Sequence, residues 1–224
     1  MKTSSTEENY IKAIYKLEEG QVKNAVTTND IAARLSMQPA TVTDMIKKLA
    51  EKKLITYKKY YGVSLTEKGK TIALDIIRKH RLWEVFLVKK LKFKWDEVHD
   101  IAEQLEHINS DELIQKLDDF LENPKFDPHG DAIPDRDGKI KTIKSIPLSI
   151  ASKKLTYIFS GVSNHETRFL QHLTNLNLSL GNTIDVDSIN EYDGSLKIKI
   201  NKSHNEFLSE QVASCILVHP KNDK

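Results

Sequence analysis

The chain is poor in the features that staple a protein covalently or carry it into a membrane. Cys215 is its only cysteine in 224 residues, so no internal disulfide can form and no paired-thiolate metal site exists. Its apolar setting, "SCILVHP", suits core packing. No apolar run approaches the roughly 20 residues of a membrane span. The first residues, "MKTSSTEENY", lack the apolar core of a signal peptide, so a cytoplasmic protein without a membrane partner is expected. There is no Gly-rich phosphate loop and no isolated nucleophile motif. Glycine and proline number only 8 and 6. Half of the prolines and two of the glycines fall in "NPKFDPHGDAIPDRDGK", which reads as a linker or ordered loop over 124–145.

What is present is an uneven charge. The net of +2 hides three blocks of opposite character. Residues 1–70 carry 13 Lys/Arg against 8 Asp/Glu, and 71–94 carry 7 against 2. Residues 95–137 reverse this with 3 against 14, and 138–224 carry 11 against 8. A basic front suits a polyanion and an acidic middle suits cations.

The front reads as a winged helix-turn-helix. "EENYIKAIYKLEE" places Tyr10, Ile11, Ile14 and Leu17 at helical spacing. "TTNDIAARLSM" opens with Thr27 and Asp30 at capping-box spacing. "QPATVTDMIKKLAEKKLI" puts Pro39 in the first turn of a second short helix with Val42, Met45, Ile46 and Leu49 on its apolar face. "LITYKKYYGVSLTEKGK" reads as a basic, aromatic hairpin, with Thr66 capping the next helix. The second helix would lead into a DNA major groove with Gln38, Pro39, Ala40, Thr41 and Thr43. Thr28, Lys47, Lys48, Lys58, Lys59 and Tyr60 are the expected backbone contacts. The alternative is a helical packing unit with ordinary surface lysines.

The middle offers a cation site. "EKGKTIALDIIRKHRLWEVFLVKKL" reads as one long helix with His80 and Glu84 on a shared face. A further helix is expected over 95–108. On it His99, Glu103, Glu106 and His107 fall within an arc of roughly 100°, apart from Ile101, Ala102, Leu105 and Ile108. That stripe is either solvated or holds a cation. Imidazole and carboxylate without thiolate suit Mn(II), Fe(II), Co(II) or Zn(II). "SDELIQKLDDFLEN" makes a third helix, capped by Asn109 or Ser110, whose apolar face could bury against a second subunit. From about 146, "LTYIFSGV", "GNTIDVDSIN", "GSLKIKIN" and "SCILVHP" read as short strands of a small β-barrel.

The order of helix-turn-helix, wing, "RKHRLWE", "VHDIAEQLEH" and "DPHGDAIP" resembles the diphtheria-toxin-repressor family of iron- and manganese-dependent transcriptional repressors. The resemblance spans about the first 135 residues, and the tail is compatible with the longer members. It implies a mainly α protein with a small β domain: a winged helix-turn-helix over 1–70, a helical metal-binding and dimerisation domain over 71–123, the linker, and an SH3-like β-barrel over 146–220. It also implies a homodimer on pseudo-palindromic double-stranded operator DNA, controlling metal-uptake genes.

The resemblance assigns a primary metal site to Glu103, Glu106 and His107, joined by the residue before Tyr10. That residue is Asn9, a departure from the acidic residue or methionine of the family, with Glu8 as the alternative donor. Asp127, at the start of the "PHG" motif, is a further ligand in some members; His129 is read as a loop residue. A second site falls to His80, Glu84 and His99, completed by His165 or Glu166. Lys12 stands where members that form a two-metal cluster carry glutamate, so two separate sites are expected. Glu103 takes the place of a cysteine found in iron-sensing relatives, which favours Mn(II) over Fe(II) as the activating metal. Two other readings stay open: a metal-dependent hydrolase with an appended DNA-binding head, and a winged-helix regulator whose His/Glu face is merely solvated.

Overall fold

The computed structural model describes residues 3–19, 26–58, 61–153 and 155–221. They form two compact units. The first comprises Met1–His80, Glu103–Glu112 and Pro134–Lys139; the second comprises Arg81–Ala102, Leu113–Ile133 and Ile140–Lys224.

In the first unit, α1 (Ser5–Glu19), α2 (Thr28–Leu35) and α3 (Pro39–Glu51) precede the hairpin β1 (Ile55–Lys58) and β2 (Gly62–Leu65). Each helix starts where local chemistry dictates. Ser4 and Glu7 exchange the reciprocal bonds of a capping box at the head of α1. Thr27 and Asp30 do the same for α2. Pro39 is the first residue of α3, where its missing N–H costs nothing. The α2–α3 turn is tight because Ser36 adopts a left-handed φ of 52°. The apolar faces close on one core containing Tyr10, Ile11, Ile14, Ile31, Ile46 and Leu49. β1 pairs antiparallel with β2, Ile55 opposite Leu65, and Val63 also bridges Val26. Thr66 Oγ1 accepts from Gly69 N and so caps α4 (Glu67–Lys89).

In the second unit, the C-terminal half of α4 packs Leu82 and Val85 against Ile114, Leu117 and Leu121 of the α6 segment (Asp111–Phe120 and the residue after it) and Ile133. α5 is His99–Leu105, shorter than the helix expected over 95–108. Residues before it are committed elsewhere: Trp95 Nε1 donates to Thr174 Oγ1 at 2.9 Å. After it, within the first unit, a tight turn with Ile108 N on Leu105 O ends the helix, taking Glu106 and His107 off it. The single polar stripe inferred from 3.6-residue periodicity is therefore split between a helix and a turn.

The rest of the second unit is a six-stranded antiparallel sheet in the order β3 (Ile146–Pro147), β8 (Ile216–Pro220), β4 (Thr156–Val162), β5 (Thr183–Ile189), β6 (Leu196–Ile200), β7 (His204–Leu208). It is accompanied by α7 (Thr167–Asn175) and α8 (Glu210–Cys215). Period-two burial is clear in β6, where Leu196, Ile198 and Ile200 face the core. Register shifts in β4 and β5 mark bulges, which strengthen local twist.

Within the second unit, the sheet anchors the turn around Gly130. His129 O accepts from Val162 N at 3.0 Å. Gly130 has φ +90°, and a Cβ there would lie 2.1 Å from Ser160 O. Only glycine tolerates both the dihedral and the approach. Gly181 has a similar φ of +87° but open space around it. Gly130→Ala should therefore lower stability by at least about 2 kcal/mol, against about 1 kcal/mol for Gly181→Ala, as read from urea denaturation of the two variants.

Candidate metal centre

The first unit gathers four acid or imidazole groups around a buried carboxylate. Glu106 is fully buried, and its Oε2 lies 2.6 Å from His80 Nδ1 on α4. Its two oxygens accept from Lys12 Nζ of α1 at 2.6 and 2.8 Å, and the same ammonium reaches Glu103 Oε1 at 3.3 Å. His107 Nδ1 lies 2.6 Å from Glu8 Oε2, and its Nε2 lies 3.8 Å from Glu106 Oε1. Burial alone would raise the Glu106 pKa, but the bond with His80 and the charge of Lys12 hold it below the usual carboxylate range.

Of the two donors considered before Tyr10, Glu8 is buried and faces His107, while Asn9 is exposed. Helix geometry explains the choice: Glu8, Ile11 and Lys12 share the inward face of α1. Glu8, Glu103, Glu106 and His107 offer the oxygen and nitrogen donors that suit a divalent cation, and one cation, the Lys12 ammonium, already bridges two of these carboxylates.

The second unit holds another group. Glu84, Asp127 and His129 are all buried, with potential ligand atoms within 4.8 Å of one another. His99 Nδ1 lies 3.6 Å from Glu84 Oε1. Asp127 Oδ1 accepts from the backbone N–H groups of His129 and Asp131 at 2.8 and 2.9 Å, locking the turn. His129 Nε2 lies 2.8 Å from Trp95 O. A carbonyl only accepts, so Nε2 carries the proton and Nδ1 turns to Glu84 Oε2, 3.6 Å away. At that distance Nδ1 is buried without a hydrogen-bond partner, the orphaned atom that a metal would satisfy.

Charges in this second group work on one another. Burial, with Glu84 and Asp131 close by, pushes Asp127 up to about 7 against the pull of His129 and Arg81. Burial would lower His129, but Glu84 and Asp127 outweigh it and raise it to about 9, so a metal taking Nδ1 would have to displace a proton from it. The concentration of negative charge suits a cation.

Two expectations need correction here. Asp127 falls in the Glu84 group rather than with Glu103, Glu106 and His107, because its turn is bonded to β4. His129 is a buried member of that group rather than a bystander in a loop. The signal for both was the Asp-Pro-His-Gly run, whose glycine is demanded by the close strand. His165 Nε2 lies 3.5 Å from Asp131 Oδ2, and its ring meets His129 edge-on at 5.2 Å. Glu166 is the exposed N-cap residue of α7 and is not brought into the group.

On α3, Gln38, Pro39, Ala40 and Thr41 are exposed at the leading end. Thr43 Oγ1 donates to Pro39 O at 2.9 Å, so its methyl is the part left to a partner. Lys47 pairs with Asp44 at 3.3 Å on the surface. Thr28, half-buried, opens α2, and Lys58 is exposed at the end of β1. Lys59 and Tyr60 lie outside the described residues.

Comparison with known proteins decides the family. Residues 2–63 match the family model "Iron dependent repressor, N-terminal DNA binding domain". Residues 66–135 match "Iron dependent repressor, metal binding and dimerisation domain", and 146–220 match "FeoA domain". A solved structure, "Manganese-dependent transcriptional repressor complex with manganese", is 33% identical, with 96% of this chain and 100% of that chain covered, at a TM-score of 0.85. The chain belongs to the diphtheria-toxin-repressor family of metal-dependent transcriptional repressors. It is 36% identical over 129 residues to the iron-dependent repressor IdeR of Mycobacterium tuberculosis, covering 58% of this chain and 55% of that protein. It is also 47% identical over 76 residues to a probable metal transport system membrane protein of Chlamydia trachomatis, covering 34% of this chain and 17% of that one. The chain thus spans about half the length, or less, of these two curated relatives. No described helix is long and apolar enough to cross a membrane.

Within this repressor-family chain, one residue had no counterpart among the sequence expectations. Glu7, next to Glu8, is buried and receives Lys52 Nζ at 2.6 Å and Lys48 Nζ at 3.1 Å, from the C-cap and the last turn of α3. Lys48 is therefore engaged with Glu7 while its side chain stays partly exposed. Burial would raise the Glu7 pKa, but the bonds from Lys52, the Ser4 backbone and Lys48 take it from 4.5 to about 2. A depressed folded-state value stabilises the fold above the unfolded pKa and is lost as pH falls through the folded one. Glu7→Gln should cost about 2 kcal/mol at pH 7, on the order expected for removing one partner of a buried charge pair. In urea denaturation the gap between wild type and variant should shrink below pH 4.5 and close near pH 2.

Proposed function

We propose that the chain is a homodimeric, metal-activated repressor that binds a pseudo-palindromic operator and controls genes for metal uptake. The observation that carries this reading is the meeting of Glu8 on α1 with Glu106 and His107 after α5, one residue from the Glu7 clamp on α3. A divalent cation bound there would supply the charge that lets these carboxylates close together. Glu8, Glu103, Glu106 and His107 would hold it; His80 orients the Glu106 carboxylate from behind. With α1 fixed, Glu7 fixes Lys48 and Lys52, and through them the angle of α3. In a dimer that sets two recognition helices about one DNA turn, roughly 34 Å, apart. When α1 is free, the heads sample other spacings and affinity falls, a population shift driven by differential binding.

A second metal site is assigned to Glu84, His99, Asp127 and His129, with His165 beside it. Gln38, Ala40, Thr41 and the Thr43 methyl would read base edges, and Thr28, Lys47 and Lys58 would meet phosphates. Mn(II) is the activating metal of choice and Fe(II) the second: Glu103 offers a hard oxygen in place of a thiolate. Exposed Leu113 and Phe120 on α6 support pairing of two copies there. The IdeR relative and the manganese-bound solved structure are named as repressors, and we take this chain as a regulator rather than a hydrolase, acting in the cytoplasm.

Fluorescence anisotropy of the protein on its own promoter DNA, at fixed salt, tests the reading. Mn(II) should tighten binding by at least about tenfold, a coupling of ordinary allosteric size. Glu106→Ala and His107→Ala should each abolish that gain while leaving the weak, metal-free binding in place. Unchanged DNA affinity with either Mn(II) or anaerobic Fe(II) would remove the regulatory role of these residues.

A further inference from the structure

We infer that Lys12 is a built-in competitor for the cation site at Glu106, so that its ammonium sets the metal concentration at which the site fills. The inference rests on the metal-activated reading above. Lys12 follows Glu8 by four residues on α1, so one helix face presents a carboxylate donor and a cation to the same pocket. The ammonium takes lone pairs on both oxygens of Glu106 and on Glu103 Oε1, at 2.6, 2.8 and 3.3 Å. Those are lone pairs a divalent ion would need.

Lys12 and Glu106 are 13% and 0% exposed at their side chains, so solvent screens little between them. Two cations at that spacing repel strongly, and the pair cannot share the carboxylate. The lysine can yield: its four-methylene stem is flexible, and its residual exposure marks a way out to solvent. An ion that binds only when the ammonium has swung away has its affinity reduced by the fraction of molecules in which it is away. The same contact keeps the buried Glu106 charge paired while that fraction is small. Lys12 is thus a specificity-determining residue: it makes the site respond to metal above a threshold and spares it from weakly bound monovalent ions.

The test is direct Mn(II) binding by the full chain, reading free Mn(II) by electron paramagnetic resonance. Wild type, Lys12→Met, Lys12→Gln and Glu106→Gln are compared. At the site lost in Glu106→Gln, both Lys12 variants should bind Mn(II) at least about tenfold more tightly, the gain expected if the ammonium occupies the site nine-tenths of the time or more. Affinity at the remaining site should not move. Should Lys12→Met fail to fold, Lys12→Gln, which keeps a hydrogen-bond donor, carries the comparison. Unchanged or weaker binding in the Lys12 variants would overturn the inference and make the lysine a prop for the pocket. If Glu106→Gln binds as many Mn(II) ions as wild type, the metal reading of this site falls, and the role of Lys12 with it.

Discussion

An ionised carboxylate with no solvent exposure is costly unless every lone pair is engaged, and Glu106 is such a group. His80 from α4 and Lys12 from α1 share its oxygens. Three chain segments far apart in sequence are therefore held to one atom group. Removing any partner leaves a buried charge uncompensated, so the arrangement is stiff as it stands and open to exchange: one cation can replace another where none would fail.

Adjacent residues on α1 divide the work of coupling. Glu8 faces His107 and Glu7 faces Lys48 and Lys52 of α3. A turn of α1 that moves one carboxylate must move the other. No long pathway is required between the proposed sensor and the helix proposed to read DNA, since the distance along the chain is one peptide bond.

Much of the fold was legible because it rests on local rules. The Thr27/Asp30 box, Pro39 at the head of α3, the hairpin from Ile55 to Leu65 and the Thr66 cap each follow from residue chemistry within a few positions. The long helix from Glu67 was legible from its period. Helical periodicity failed at Trp95 and at Glu106, where tertiary bonds override propensity: an indole drawn to Thr174, and a carboxylate drawn inward by Lys12 and His80. Of the site, the residue types and their grouping by segment were visible in the His/Glu spacing. The sequence left Glu8 and Asn9 as alternatives, since the burial of one and exposure of the other depend on which face of α1 packs inward, and it did not show the burial of His129 beside Glu84, which depends on strand β4 pressing on Gly130. Charge pairs such as Glu7 with Lys52 span 45 residues, and no local pattern announces them.

Glu106 and its neighbours are proposed to form a metal site distinct from the one at Glu84. Crystals of the full chain grown with Mn(II), with diffraction collected at the manganese edge, test it most directly. Two anomalous peaks per chain are expected. One lies among Glu8, Glu103, Glu106 and His107, with the Lys12 ammonium displaced; the other touches Glu84 and His129 Nδ1. A map with no peak at Glu106, and Lys12 still bridging Glu103 and Glu106 at saturating Mn(II), would contradict it.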